Sequence, residues 1–142
     1  MKSIQTIIKV NKQALDEKRQ ELVELEGQKE QLINWQKKMK DELAKEFDFA
    51  VKNPEMSITF DYYRKLISRR QVNLKLALDD LNLQIENITL QIAELFGEVK
   101  KYEIIEQQKL AKILNEQKLR DSKALDEIAI SNYLKERNVQ EG

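Results

Sequence analysis

Apolar residues along this chain recur at steps of four and three, the spacing of a buried coiled-coil seam. In the first third the step visits Ile4, Ile8, Asn11, Leu15, Lys18, Leu22, Leu25, Lys29, Leu32, Gln36, Met39, Leu43, Glu46 and Ala50, of which nine of fourteen are apolar. From Ile67 to Tyr102 the same step meets a single polar residue, Gln71. Two long amphipathic helices are predicted, the second with the better seam. The polar interruptions Asn11, Lys18, Lys29 and Gln36 weaken the first seam but can fix its register, and the lysines can reach water along their stems.

Between these segments lies VKNPEMSITFD, Val51 to Asp61, the one strong break in the chain. Pro54 cannot continue a helix, Asn53 is expected to close the first helix in the left-handed conformation, and Ser57, Thr59 or Asp61 can cap the second. So short a turn makes the arms antiparallel, with residues equidistant from about Pro54 to Ser57 meeting and Ile4 near Gln107. The expected fold is all-α: a long antiparallel two-helix coiled-coil hairpin whose second helix overhangs the first. It forms a single domain over 1–142, with arms near residues 3–52 and 60–136, a turn near 53–60 and a frayed tail at 137–142.

Past about Lys109 the seam frame collapses. Glu106, Lys109, Glu116, Arg120, Lys123 and Glu127 occupy its positions, and only Ile113 is apolar; Leu110, Leu114, Leu125 and Ile128 sit in another frame. Helix propensity persists because EQQKLAKILNEQKLRDSKALDE, Glu106 to Glu127, holds neither Gly nor Pro. About 30 residues would project roughly 45 Å beyond the paired arms. A single helix in water is marginal without packing, so this end either frays or is surrounded by another protein.

A second apolar row, Leu76, Leu83 and Leu90, lies at the heptad position turned farthest from the partner helix. With Tyr63, Leu66 and Arg69 near the turn it forms a candidate docking strip, for a partner or for a second copy of the chain, since long apolar strips on soluble helices mark contacts. Acidic neighbours Asp79, Asp80 and Glu86 argue against a membrane-lying helix, where basic residues belong. Arg64, Lys65, Arg69 and Arg70 add a basic cluster beside Tyr62 and Tyr63. Trp35, beside the first seam, reads as packing along the groove edge.

Composition removes several classes of function. Charged residues make up 35% of the chain with 25 basic and 25 acidic side chains, so no overall basic field exists to attract nucleic acid. With neither His nor Cys, no glycine-rich phosphate loop and no water-excluding pocket expected between two helices, the chain does not read as an enzyme. Neither a cofactor nor a metal site is expected. No signal-peptide pattern and no apolar run long enough to span a bilayer is found, which gives a cytoplasmic expectation without membrane insertion.

Two stretches resemble a known family. FDYYRKLI, Phe60 to Ile67, is similar to the aromatic-rich opening of the second helix in the flagellar FliJ family and its injectisome YscO-like stalk relatives. RDSKALDEIAISNY resembles that family's closing segment, Lys123, Asp126, Glu127 and Ala129 matching a Lys-x-x-Asp-Glu-x-Ala pattern. The resemblance implies a stalk component of a type III protein export apparatus, inserted into the hexameric export ATPase and reaching toward the cytoplasmic domain of the membrane export gate, with export chaperones as further partners. On that reading Ile4, Ile8, Lys118, Arg120, Lys123, Asp126 and Glu127 contact the ATPase ring, while Tyr63, Leu66, Arg69, Leu76, Leu83 and Leu90 contact the gate or a chaperone. The free chain is then expected to be monomeric. The alternative is a coiled-coil tether or a holdase-type chaperone unrelated to export; a holdase of the prefoldin kind needs a strand-rich platform, and no alternating strand pattern is present.

Overall fold

In a computed structural model, which describes residues 2–141, two helices and one short turn account for the chain. Helix α1 runs Lys2–Lys52 and helix α2 runs Ser57–Glu141, joined by a single 3-10 turn at Pro54–Met56. No strand occurs among the described residues. The second helix opens three residues earlier than the expected 60, and residues 137–141, expected to fray, continue it.

The turn departs from expectation for a reason that lies in Pro54. Asn53 has φ −128° and ψ 81°, and no non-glycine residue among those described has positive φ. The proline ring clashes with a preceding residue in a helical backbone and pushes it toward extended values, so Asn53 ends α1 without a left-handed cap. Its backbone N–H and its side-chain amide both donate to the Phe49 carbonyl, at 3.0 and 2.9 Å. Pro54 opens the 3-10 turn, where its missing N–H leaves no donor unmet. The Met56 N–H then donates to the Asn53 carbonyl at 2.9 Å, and the Ser57 N–H to that of Pro54. These i to i+3 bonds occupy donors at the entry to α2, and Ser57 is already helical rather than a capping residue.

The chain divides into two compact units: Asn11–Gly97, which contains the turn, and Met1–Val10 with Glu98–Gly142. In the first unit α1 and α2 lie against each other. The Phe47 and Phe60 rings meet edge to face, centroids 5.6 Å apart. Farther from the turn, Glu24 and Leu25 of α1 share a groove of about 290 Å³ with Gln84, Asn87 and Ile88 of α2.

Burial follows the four-and-three step closely. On α2 all eleven seam positions from Ile67 to Tyr102 are buried or half-buried; on α1 thirteen of fourteen are, the exception being Glu46. Depth alternates within the α2 seam. Ile67, Leu74, Leu81 and Ile88, seven apart, are buried, with Ile67 only 2% exposed, while Gln71, Leu78 and Ile85 between them are half-buried. A buried aliphatic side chain contributes about 1.5–3 kcal/mol, so this row is a large source of packing energy in its unit, with Leu15 and Ala50 of α1 buried as well. In the other unit Ile4 and Val99 are buried, and half-burial on α2 continues as far as Glu106. Every residue from Gln107 to Gln140 is exposed.

Candidate interaction surfaces

Three surfaces offer contacts, and each lies within a single unit. The first is the outer row of α2. Leu76, Leu83 and Leu90 are 62%, 60% and 58% exposed, as three side chains directed away from the partner helix must be. Arg69 extends the row toward the turn and is exposed, whereas Gly97 leaves a gap in it. Acidic residues flank the row on both sides, Asp79 and Glu86 on one and Asp80 and Glu94 on the other; all are exposed, and Asp80 accepts a 2.8 Å hydrogen bond from Gln84. The row therefore suits a partner that brings an apolar helix or loop flanked by basic groups.

The turn end of the same unit is the second surface, and it is more apolar than the sequence pattern implied. Phe47, Phe49, Val51, Ile58 and Tyr62 are all more than half exposed, Ile58 at 83%. Phe47, Phe49, Val51 and Ile58 escaped notice because they lie off the seam step and follow no seven-residue repeat, whereas Tyr62 falls on the outer row seven residues before Arg69; the turn brings the last turn of α1 beside the first turns of α2. Tyr63 is not on this open face. It is half-buried and lines a cavity of about 180 Å³ with Phe49, Ala50, Met56 and Phe60, so of the expected docking residues only Leu66 and Arg69 stand open beside the turn.

Basic residues border this apolar end. Arg64 and Lys65 both pair with Asp61, at 3.0 and 3.4 Å. The hydrogen bond from Arg64, then that from Lys65 with its charge, hold the Asp61 carboxyl below the usual aspartate range. Asp61 thus ties down two members of the basic cluster. Arg69 and Arg70 lie one turn farther on and are exposed.

The third surface is the α2 stretch Gln107–Gln140. Lys118, Arg120, Lys123, Asp126 and Glu127 are exposed there, as contact residues must be. Ile4 is buried in its own unit at 8% exposure and Ile8 is half-buried; the exposed apolar residues of that turn are Ile7 and Val10. The tail also carries exposed Leu110, Ile113, Leu114, Leu119, Leu125 and Ile128.

No helix among the described residues is long and apolar enough to cross a membrane. No family model, curated protein or solved structure matches the chain.

Proposed function

We propose that this chain is the central-stalk component of a type III protein export apparatus, working in the cytoplasm beside a membrane-embedded export gate. On this reading the helices form an antiparallel coiled coil. The pairing of Phe47 with Phe60 near the turn, and the approach of Leu25 to Ile88 farther from it, support that direction because partner numbers fall on α1 as they rise on α2. One observation carries the reading: α2 continues as helix from Gln107 to Gln140 with no residue covered by its own chain. A helix exposed on all sides gains little from its own sequence, and an enclosing protein sleeve supplies the missing packing.

The hexameric export ATPase is that sleeve, gripping Lys118, Arg120, Lys123, Asp126 and Glu127 by charge. Leu66, Arg69, Leu76, Leu83 and Leu90 face the export gate or an export chaperone, joined at the turn by Phe47, Phe49, Ile58 and Tyr62. The two contacts lie on different surfaces, so mutation separates them. Changing Leu66, Leu76 and Leu83 together to Glu removes gate or chaperone binding and leaves stimulation of the ATPase intact. Changing Lys118, Arg120 and Lys123 to Glu does the reverse. ATPase stimulation and gate binding, measured for both variants, test this; loss of stimulation in the first variant with its retention in the second inverts the assignment, and no change in either activity removes the stalk reading.

A further inference from the structure

The exposed tail of α2 carries a seam of its own. At 100° per residue, Leu110, Leu114, Gln117, Asp121, Ala124 and Ile128 fall on one face, stepping by four and three, and Ile113 and Leu125 widen it. Six of these eight residues are apolar, and all eight are exposed. The two polar members, Gln117 and Asp121, occupy the centre. Four charged residues, Lys109, Glu116, Arg120 and Glu127, run along one flank of this face at spacings of seven, four and seven.

We propose that in the free protein this face pairs with the same face of a second copy, antiparallel about a two-fold axis near residues 118–119. The seam is a near-palindrome in apolar character. Antiparallel pairing sets Leu110 against the second copy's Ile128, and Leu114 against its Ala124 and Leu125, with Gln117 beside Asp121. The Gln117 side-chain amide then donates to a carboxylate that would otherwise stand unpaired in the seam.

Charge selects the same direction. In an antiparallel pair like flanks meet, which brings Lys109 to the second copy's Glu127 and Glu116 to its Arg120, each contact occurring twice by symmetry. A parallel pair instead sets Asp121 against Asp121 within the seam. Near the two-fold axis the antiparallel pair also brings Lys118 and Arg120 close to their own copies, like-charge approaches outnumbered by the four opposite-charge contacts along the flanks. The contact replaces the monomer that the resemblance implied, and it does not rest on the ATPase reading.

Sedimentation equilibrium over a concentration series tests the pairing on the full chain. The wild-type chain is expected to reach twice the mass of one chain. Two charge variants follow: Lys109→Glu with Arg120→Glu makes the flank wholly acidic, and Glu116→Lys with Glu127→Lys makes it wholly basic. Each alone is expected to dimerise at least about tenfold more weakly, as several exposed pairs turn repulsive. An equimolar mixture of the two is expected to restore a dimer containing one copy of each, which shows that neither variant fails merely through misfolding. Leu83→Glu, on the outer row of α2, leaves the dimer intact. A wild-type chain that stays at the mass of one chain throughout, a mixture that remains monomeric, or a dimer dissolved by Leu83→Glu overturns the proposal.

Discussion

Two stretches of the same helix, residues 67–102 and 107–140 of α2, are both rich in leucine and isoleucine and both helical, yet only the first buries any of them. In the first, apolar residues fall on the four-and-three step for ten successive helical turns, and a facing helix covers the resulting stripe. In the second they are scattered around the helix, with at most a face of six about the centre of the tail. Apolar content is therefore a poor guide to burial in a long helix; phase is what counts, because only residues in one stripe can be covered by one partner. The comparison also places the open surfaces. A chain that commits one stripe of α2 to α1 leaves every other apolar row on that helix available to something else.

The largest test of the comparison removes a buried side chain from the paired stretch. Leu81→Ala is expected to cost about 2–4 kcal/mol in urea unfolding, since Leu81 is 5% exposed, whereas Leu83→Ala two residues on and Leu119→Ala in the tail should each stay within about 0.5 kcal/mol. Equal losses at Leu81 and Leu83 would abolish the distinction between stripe and outer row.

A smaller effect sharpens it. Gly97 has open space where a Cβ would stand, so Gly97→Ala should stabilise by up to about 1 kcal/mol through helix propensity alone. That gain should appear in the unfolding midpoint, because the paired stretch unfolds with its partner. Ser122→Ala in the tail should raise helix content by circular dichroism at low protein concentration while leaving that midpoint in place.

The smallest expected effect concerns pH. The Asp61 carboxyl titrates below its ordinary range because of Arg64 first and Lys65 second. With a folded-state pKa below the unfolded one, its contribution to stability is present above the unfolded value and disappears as pH falls through the folded one. Asp61 is exposed to solvent, so the contribution is screened and slight. Following the Asp61 carboxyl by NMR should give a midpoint below that of an unfolded aspartate, and Arg64→Ala should move it upward; an unchanged midpoint in that variant would remove Arg64 as the cause.

Much of the fold was legible because a helix has a fixed period. Once a stretch is long and free of Gly and Pro, the positions of its apolar residues state which face is covered, and so the α2 seam from Ile67 to Tyr102 could be read without coordinates. Glu46 shows where the pattern fails: the step reaches it, but close to the turn a carboxylate stays in water, and the neighbouring Phe47 packs on Phe60 in its place. Of the candidate contact residues, Leu76, Leu83 and Leu90 could be placed as outward from phase alone. Ile4 could not, because the seam step assigned it to the first helix's covered stripe while the resemblance assigned it to a partner, and burial favours the former.

By itself, then, the sequence determined two helices, one break at Asn53-Pro54, the covered stripe of each arm and the point, about Lys109, beyond which that stripe does not continue. These are local properties, set by side-chain spacing against a backbone of constant pitch. Tertiary structure decided the rest: which seam positions sink deepest, the edge-to-face meeting of Phe47 and Phe60, the cavity that takes Tyr63 out of the open surface, and the cluster of Phe49, Val51, Ile58 and Tyr62 at the turn. Each depends on the backbone path through Asn53 to Ser57, where proline geometry and hydrogen bonds to Phe49, Asn53 and Pro54 carbonyls fix how α2 leaves α1, and no periodic pattern encodes that direction.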